Sequence, residues 1–278
     1  MKPLMAPGVE RVLLPSVVET FVELRLPQAT AASMLAIFTF LEIGETPSLA
    51  VVAVITGATL HLYCLDSLLD RRPLGKELEL PRYALLGLTL TGGVTLLVAT
   101  SQLPLRGILL VAIGLLPCAL YAVPFARHRL KDVVVIKMLL VPGAIVTAVV
   151  GLPAVVAGAT VLQSLPIALA LLPLVAANVI ASDLRDLNRD LDCGICTLPQ
   201  KIGRVTARRL ATLLALIGTL LSIFLLAPGS GIGCALAFIG LRKGMQEGLP
   251  RSVRTILIDG ALVMPSLALL MAKTLTER

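Results

Sequence analysis

The stretch "ASDLRDLNRDLDCGICTLPQKIG", residues 181–203, follows directly on the apolar run "LPIALALLPLVAANVI", residues 165–180. Asp183, Asp186 and Asp190 stand at i, i+3 and i+7, which is one face of an α-helix. Asn178 and Ser182 lie one to two turns deeper. A carboxylate at the centre of a bilayer costs about 2.5–3.5 kcal/mol even on a lenient insertion scale, so these side chains must meet water or cations. Carboxylates stacked on one face also repel one another, and a hard divalent cation relieves that repulsion.

The setting is that of a membrane protein. The chain has 278 residues, 57% hydrophobic and 15% charged, with mean hydropathy +0.94. A soluble domain sits nearer half apolar and a quarter charged. Runs long enough to span a bilayer fall near 28–45, 47–69, 83–102, 104–124, 133–151, 164–184, 207–227, 230–241 and 255–273, about nine in all. The stretch 152–163 is a possible extension of the fifth. The expected fold is all-α and polytopic, one domain over residues 1–278. Residues 8–26 mix Val and Leu with Glu10, Arg11, Glu19, Glu23 and Arg25, which predicts an amphipathic segment lying on the surface. No removable signal peptide is read at the N-terminus.

Net charge +7 would suggest nucleic acid in a soluble chain, but topology explains it here, and no nucleic-acid partner is expected. The connections after the second, fourth, sixth and eighth runs carry nearly all the Lys and Arg, including Arg71, Arg72, Arg127, Lys131, Arg204 and Arg251. Those after the odd-numbered runs hold Arg106 alone. The asymmetry places the N-terminus and the acidic ends in the cytoplasm, in the plasma membrane of a prokaryote. Of the five cysteines, Cys193 and Cys196 have redox-motif spacing, yet no βαβ pattern surrounds them and no second such pair completes a zinc site.

Charges just beyond a spanning run often merely end it, and Arg185 and Arg189 could pair with the aspartates. A second copy weighs against that reading. "HLYCLDSLLDRR", residues 61–72, closes the second run on the same side, with Tyr63, Asp66 and Asp70 again at i, i+3 and i+7. The repetition suggests duplicated halves, about 27–130 and 131–250, whose acidic ends meet across a cavity. Two facing carboxylate sets ringed by basic residues suit a metal-bridged diphosphate.

"DLNRDLDCGICTLPQKIG" resembles the second aspartate motif of the UbiA superfamily of intramembrane prenyltransferases. Asp186, Asp190, Gly194, Thr197, Leu198, Pro199 and Gly203 match it. "YAVPFARHRLKDVVVIK", residues 121–137, is similar to that family's connection after the fourth helix. The first motif departs from the family's Asn-Asp-x-x-Asp-x-x-x-Asp, with Leu62 and Tyr63 in place of Asn and the first Asp. Two ligand candidates are thereby missing, which leaves the number of metal ions open, with Asp183 available as a compensating carboxylate.

The resemblance implies a ring of helices around a cavity open to lipid and a Mg²⁺-dependent transfer from a prenyl diphosphate to a lipophilic or aromatic acceptor. Asp66, Asp70, Asp186 and Asp190 would be catalytic metal ligands, with Asp183 a fifth. Lys131, Arg127, Arg72 and Tyr63 are diphosphate candidates, although ordinary positive-inside charge accounts for the basic ones equally well. Asn178 and Asp259 are cavity candidates; a salt bridge from Asp259 to Arg254 or to a neighbouring helix is an equal reading. The alternative within the family is a terpene cyclase acting without acceptor, against which stand only 6 Phe, 3 Tyr and no Trp for steering a cation. Outside it stand a transporter, weakened because the acids sit at one face instead of the midplane, and an inactive scaffold.

Overall fold

A computed structural model describes residues 20–22, 24–71, 82–122, 133–192 and 195–276. Among them the chain is all helical. The helices are α1 (Leu26–Glu42), α2 (Leu49–Arg71), α3 (Arg82–Thr100), α4 (Leu105–Ala122), α5 (Val134–Val146), α6 (Leu152–Ala157), α7 (Val161–Asp192), α8 (Leu198–Ile202), α9 (Arg204–Leu225), α10 (Pro228–Gly244), α11 (Arg251–Ala261) and α12 (Met264–Thr276). Each of the nine expected intervals holds helix. By length and apolar composition, however, five helical stretches can cross a membrane, or six if α11 and α12 form one bent span. Most of the expected amphipathic segment lies outside the described residues.

Proline explains two local features. α5 continues into α6 through a π-type turn, Thr147–Gly151, so the fifth run does extend to Ala157 before Gly158 ends it with φ +71°. Pro153 has no N–H for the carbonyl of Val149, four residues back. The Thr39 hydroxyl of α1 donates to that oxygen instead, at 2.8 Å. A wider turn with an external donor is how a buried carbonyl is satisfied when its own helix cannot serve it. Likewise Pro265 cannot bond the carbonyl of Ala261, and the last span bends by 51° between α11 and α12.

The core lies where α1, α7, α10 and α11 meet, built on Leu35, Phe38, Leu171, Leu174, Leu241 and Ile258. Outward faces carry large exposed apolar groups such as Leu97, Leu139 and Phe224, as suits lipid contact. α2 and α3 touch closely at Gly57 and Gly92. A methyl on Gly57 would fall 2.8 Å from the Gly92 carbonyl oxygen, so the approach requires glycine. α7 has 32 residues, about 48 Å at 1.5 Å per residue against a hydrocarbon core of roughly 30 Å. Its last turns therefore stand beyond the apolar slab, and those turns carry the aspartates.

Candidate functional site

The acidic end of α7 is held by bases from other helices. Asp183, buried, accepts a bond from Lys137 Nζ of α5 at 2.6 Å through Oδ1, while its Oδ2 has no partner among the described residues. Asp186 has both oxygens engaged. Arg185 donates to Oδ2 from Nη2 at 2.7 Å and from Nε at 3.2 Å, and Arg251 Nε of α11 donates to Oδ1 at 3.2 Å. Asp190 is half-buried and forms no ion pair among the described residues; Lys137, Asp183 and Asp186 are within electrostatic range of it. The three aspartates thus share one helical face, and among the described residues Asp183 and Asp186 are the ones in ion pairs.

The α2 end converges on the same place. Tyr63 lies within electrostatic range of Asp66 on its own helix and of Arg25, Arg185 and Asp259. Arg25 precedes α1 with a left-handed φ of +61°, a conformation that costs a non-glycine residue about 1 kcal/mol. Its guanidinium donates to Ser67 Oγ from Nε at 3.3 Å and from Nη2 at 3.1 Å. It also acts electrostatically on Asp186 and Asp259. Arg25 therefore ties the α2 end to the α7 end. The side chain of Asp70, and Arg72, Arg127 and Lys131 altogether, lie outside the described residues.

Between the two ends sits a buried network. Arg185 Nη1 donates to Asp259 Oδ2 at 3.3 Å, with both side chains 5% exposed. Gln28 Nε2 of α1 donates to the same oxygen at 2.7 Å. The partner of Asp259 is therefore Arg185; Arg254 instead donates to the Gly244 carbonyl at 3.0 Å. Asn178 is buried, and its Nδ2 donates to the Ile258 carbonyl at 2.7 Å, tying α7 to α11. His61 points its ring to the Thr89 carbonyl, 2.9 Å away, away from the acids as its helical phase requires. Arg25, Gln28, Lys137 and Arg251 were not among the site residues expected from the sequence. Gln28 carries no charge to mark it, and in a chain whose basic residues cluster on one side each of the other three reads as topological charge.

Carboxylates are the donors that a hard divalent cation takes. Asp186 and Asp190 sit at i, i+4 on one face, and Asp183 Oδ2 is buried with no hydrogen-bond partner among the described residues. Among the described residues, however, no three His, Cys, Asp or Glu side chains come together closely enough to hold a metal ion.

Residues 65–244 match the UbiA prenyltransferase family. Several solved structures share the fold. A UbiA homologue from Aeropyrum pernix K1 superposes with TM-score 0.61 at 13% identity, covering 90% of this chain and 98% of that one. An Archaeoglobus fulgidus UbiA homologue bound to DMAPP and Mg²⁺ gives 0.57 at 16% identity, over 90% and 99%. A digeranylgeranylglyceryl phosphate synthase gives 0.56 at 17% identity, over 91% and 97%. No curated protein sequence matches the chain significantly.

Proposed function

The chain belongs to the UbiA prenyltransferase family, and on that premise we propose that it transfers an isoprenyl group from a prenyl diphosphate to a lipophilic or aromatic acceptor within the membrane. The observation that carries the reading is the convergence of two helix ends. Asp186 and Asp190 close α7, Asp66 and Tyr63 close α2, and Arg25, Arg185 and Arg251 stand among them. The archaeal homologue with DMAPP and Mg²⁺ supports the choice of ligand class.

Asp66, Asp70, Asp186 and Asp190 would hold Mg²⁺, with Asp183 as a further carboxylate. Bound there, the ion supplies positive charge to diphosphate oxygens as the bond to the allylic carbon breaks. Arg251, which donates to Asp186 Oδ1, would orient the headgroup by turning to a phosphate oxygen. Tyr63 can donate its hydroxyl to the same group. Lys131, Arg127 and Arg72 would add charge from the connections. The prenyl tail needs only apolar surface, which the inner faces of the helices supply. Low-dielectric walls strengthen every charge contact and keep water from the allylic cation, so that the acceptor captures it and then loses a proton. The Lys/Arg asymmetry supports a cytoplasmic face for this chemistry, where a water-soluble leaving group would be released.

The test is incubation of purified protein with labelled C10 to C20 donors, Mg²⁺ and a native lipid extract, followed by product identification. A prenylated acceptor that disappears when the extract is omitted or EDTA is added is expected. A terpene formed from the donor alone would replace this reading with cyclisation. Solute flux in proteoliposomes without donor consumption would refute both.

A further inference from the structure

Arg106 is the lone Lys or Arg of the connections after the odd-numbered apolar runs, where a basic residue is disfavoured. It also stands in the first turn of α4, where the helix dipole opposes a cation. Its place is the end of the bundle opposite the aspartates. α2 runs from Leu49 to the acidic end, and α3 returns beside it, since Gly57 meets Gly92 and Leu96 while His61 meets Thr89. α3 ends at Thr100, and α4 begins at Leu105. Among the described residues Arg106 joins none of the ion pairs. Two positional rules therefore count against this charge, and no carboxylate of the described chain answers it.

Beside Arg106 a groove of about 530 Å³ separates the start of α4 from the end of α6. Leu105, Val155, Val156 and Gly158 line it, and Arg106 is the charged group of its lining. The walls are apolar and open, with Leu105 69% exposed and Leu109, one turn on, 53% exposed. In a membrane such surface takes hydrocarbon, whereas a small soluble anion would leave it uncovered. A zwitterionic headgroup would bring its own cation beside Arg106, and no carboxylate lines the groove to receive it. A headgroup of net negative charge fits better, because the guanidinium fork takes phosphate oxygens in pairs.

We infer that this groove binds an anionic phospholipid, with the lipid phosphate on Arg106 and an acyl chain against Leu105, Val155 and Val156. The lipid supplies the negative charge that the groove lacks and bridges α4 to α6. The site is separate from the diphosphate chemistry and stands whether or not that reading holds.

The sequence contains no Trp, so a single introduced one reports its own surroundings. Full-length Leu105→Trp is reconstituted in phosphatidylcholine vesicles in which brominated phosphatidylglycerol or brominated phosphatidylcholine replaces part of the lipid, and fluorescence quenching is measured. At equal mole fraction the brominated phosphatidylglycerol should bind about fivefold better, the preference that one basic residue confers. Adding Arg106→Gln should abolish that preference. Phe224→Trp, at an 80% exposed position near the same end on α9, reads bulk lipid and should show none. Leu109→Trp, on the same face of α4, gives the same readout if Leu105→Trp does not fold. Equal quenching by the two lipids beside the groove, a preference that survives Arg106→Gln, or an equal preference at Phe224→Trp would each overturn the inference.

Discussion

Asp259→Asn tests the buried network with little change of shape. The amide oxygen can still accept from Gln28, now 2.7 Å from the carboxylate, so the local hydrogen bond survives. The charge does not. Among the described residues the Arg185 guanidinium, 5% exposed, is then left with the carboxylate of Asp186, which it shares with Arg251. Removing one partner of a buried ion pair costs about 3–5 kcal/mol. The 3.3 Å separation and the surviving Asp186 contact place this case at the lower end, about 3 kcal/mol, or roughly two powers of ten in the unfolding equilibrium. Unfolding of detergent-solubilised protein by a graded SDS titration reads it directly. Adding Arg185→Met should recover most of the loss, because removing both charges leaves Asp186 paired with Arg251. If Asp259→Asn unfolds within about 0.5 kcal/mol of the parent, or Arg185→Met brings no recovery, the pair does not hold α11 against α7.

Asp186→Ala or Asp190→Ala should cut Mg²⁺-dependent diphosphate release about a hundredfold, from loss of about 3 kcal/mol of transition-state stabilisation; release at the parental rate from the double variant would show the site is elsewhere. Gly92→Leu should lower stability by about 1–3 kcal/mol in the SDS titration, since a first carbon there meets the His61 backbone nitrogen at 2.8 Å. Arg208→Ala should change stability by less than about 1 kcal/mol, because Arg208 and its partner Glu247 are 42% and 66% exposed.

What the sequence made legible was local. Asp183, Asp186 and Asp190 could be placed on one face because helical period relates near neighbours, and an apolar run ahead of them set the helix. The end of α7 still ran beyond the expected boundary at 184, to Asp192, since hydropathy marks where lipid stops and not where the helix stops. The one-span reading of 255–273 missed the break that Pro265 imposes after Ala261. Partners across helices were out of reach. Arg251 is 65 residues from Asp186, Arg185 is 74 from Asp259, and Gln28 is 231 from Asp259. No periodicity relates positions so far apart.

The pairing itself explains why acids were easier to identify than bases. An aspartate near the end of a span is conspicuous because insertion penalises it, whereas Lys and Arg at that same level are expected from topology and so carry little information singly. Yet burial obliges these acids to find bases. Asp183 takes Lys137, Asp186 takes Arg185 and Arg251, and Asp259 takes Arg185. A diphosphate with its cation would enter by replacing some of these pairs. The exposed pair to Arg251 is the cheapest to break, and the buried pairs to Arg185 are the dearest. Exposure therefore sorts one set of ion pairs into a part that yields to ligand and a part that stays, a distinction that residue type alone does not contain.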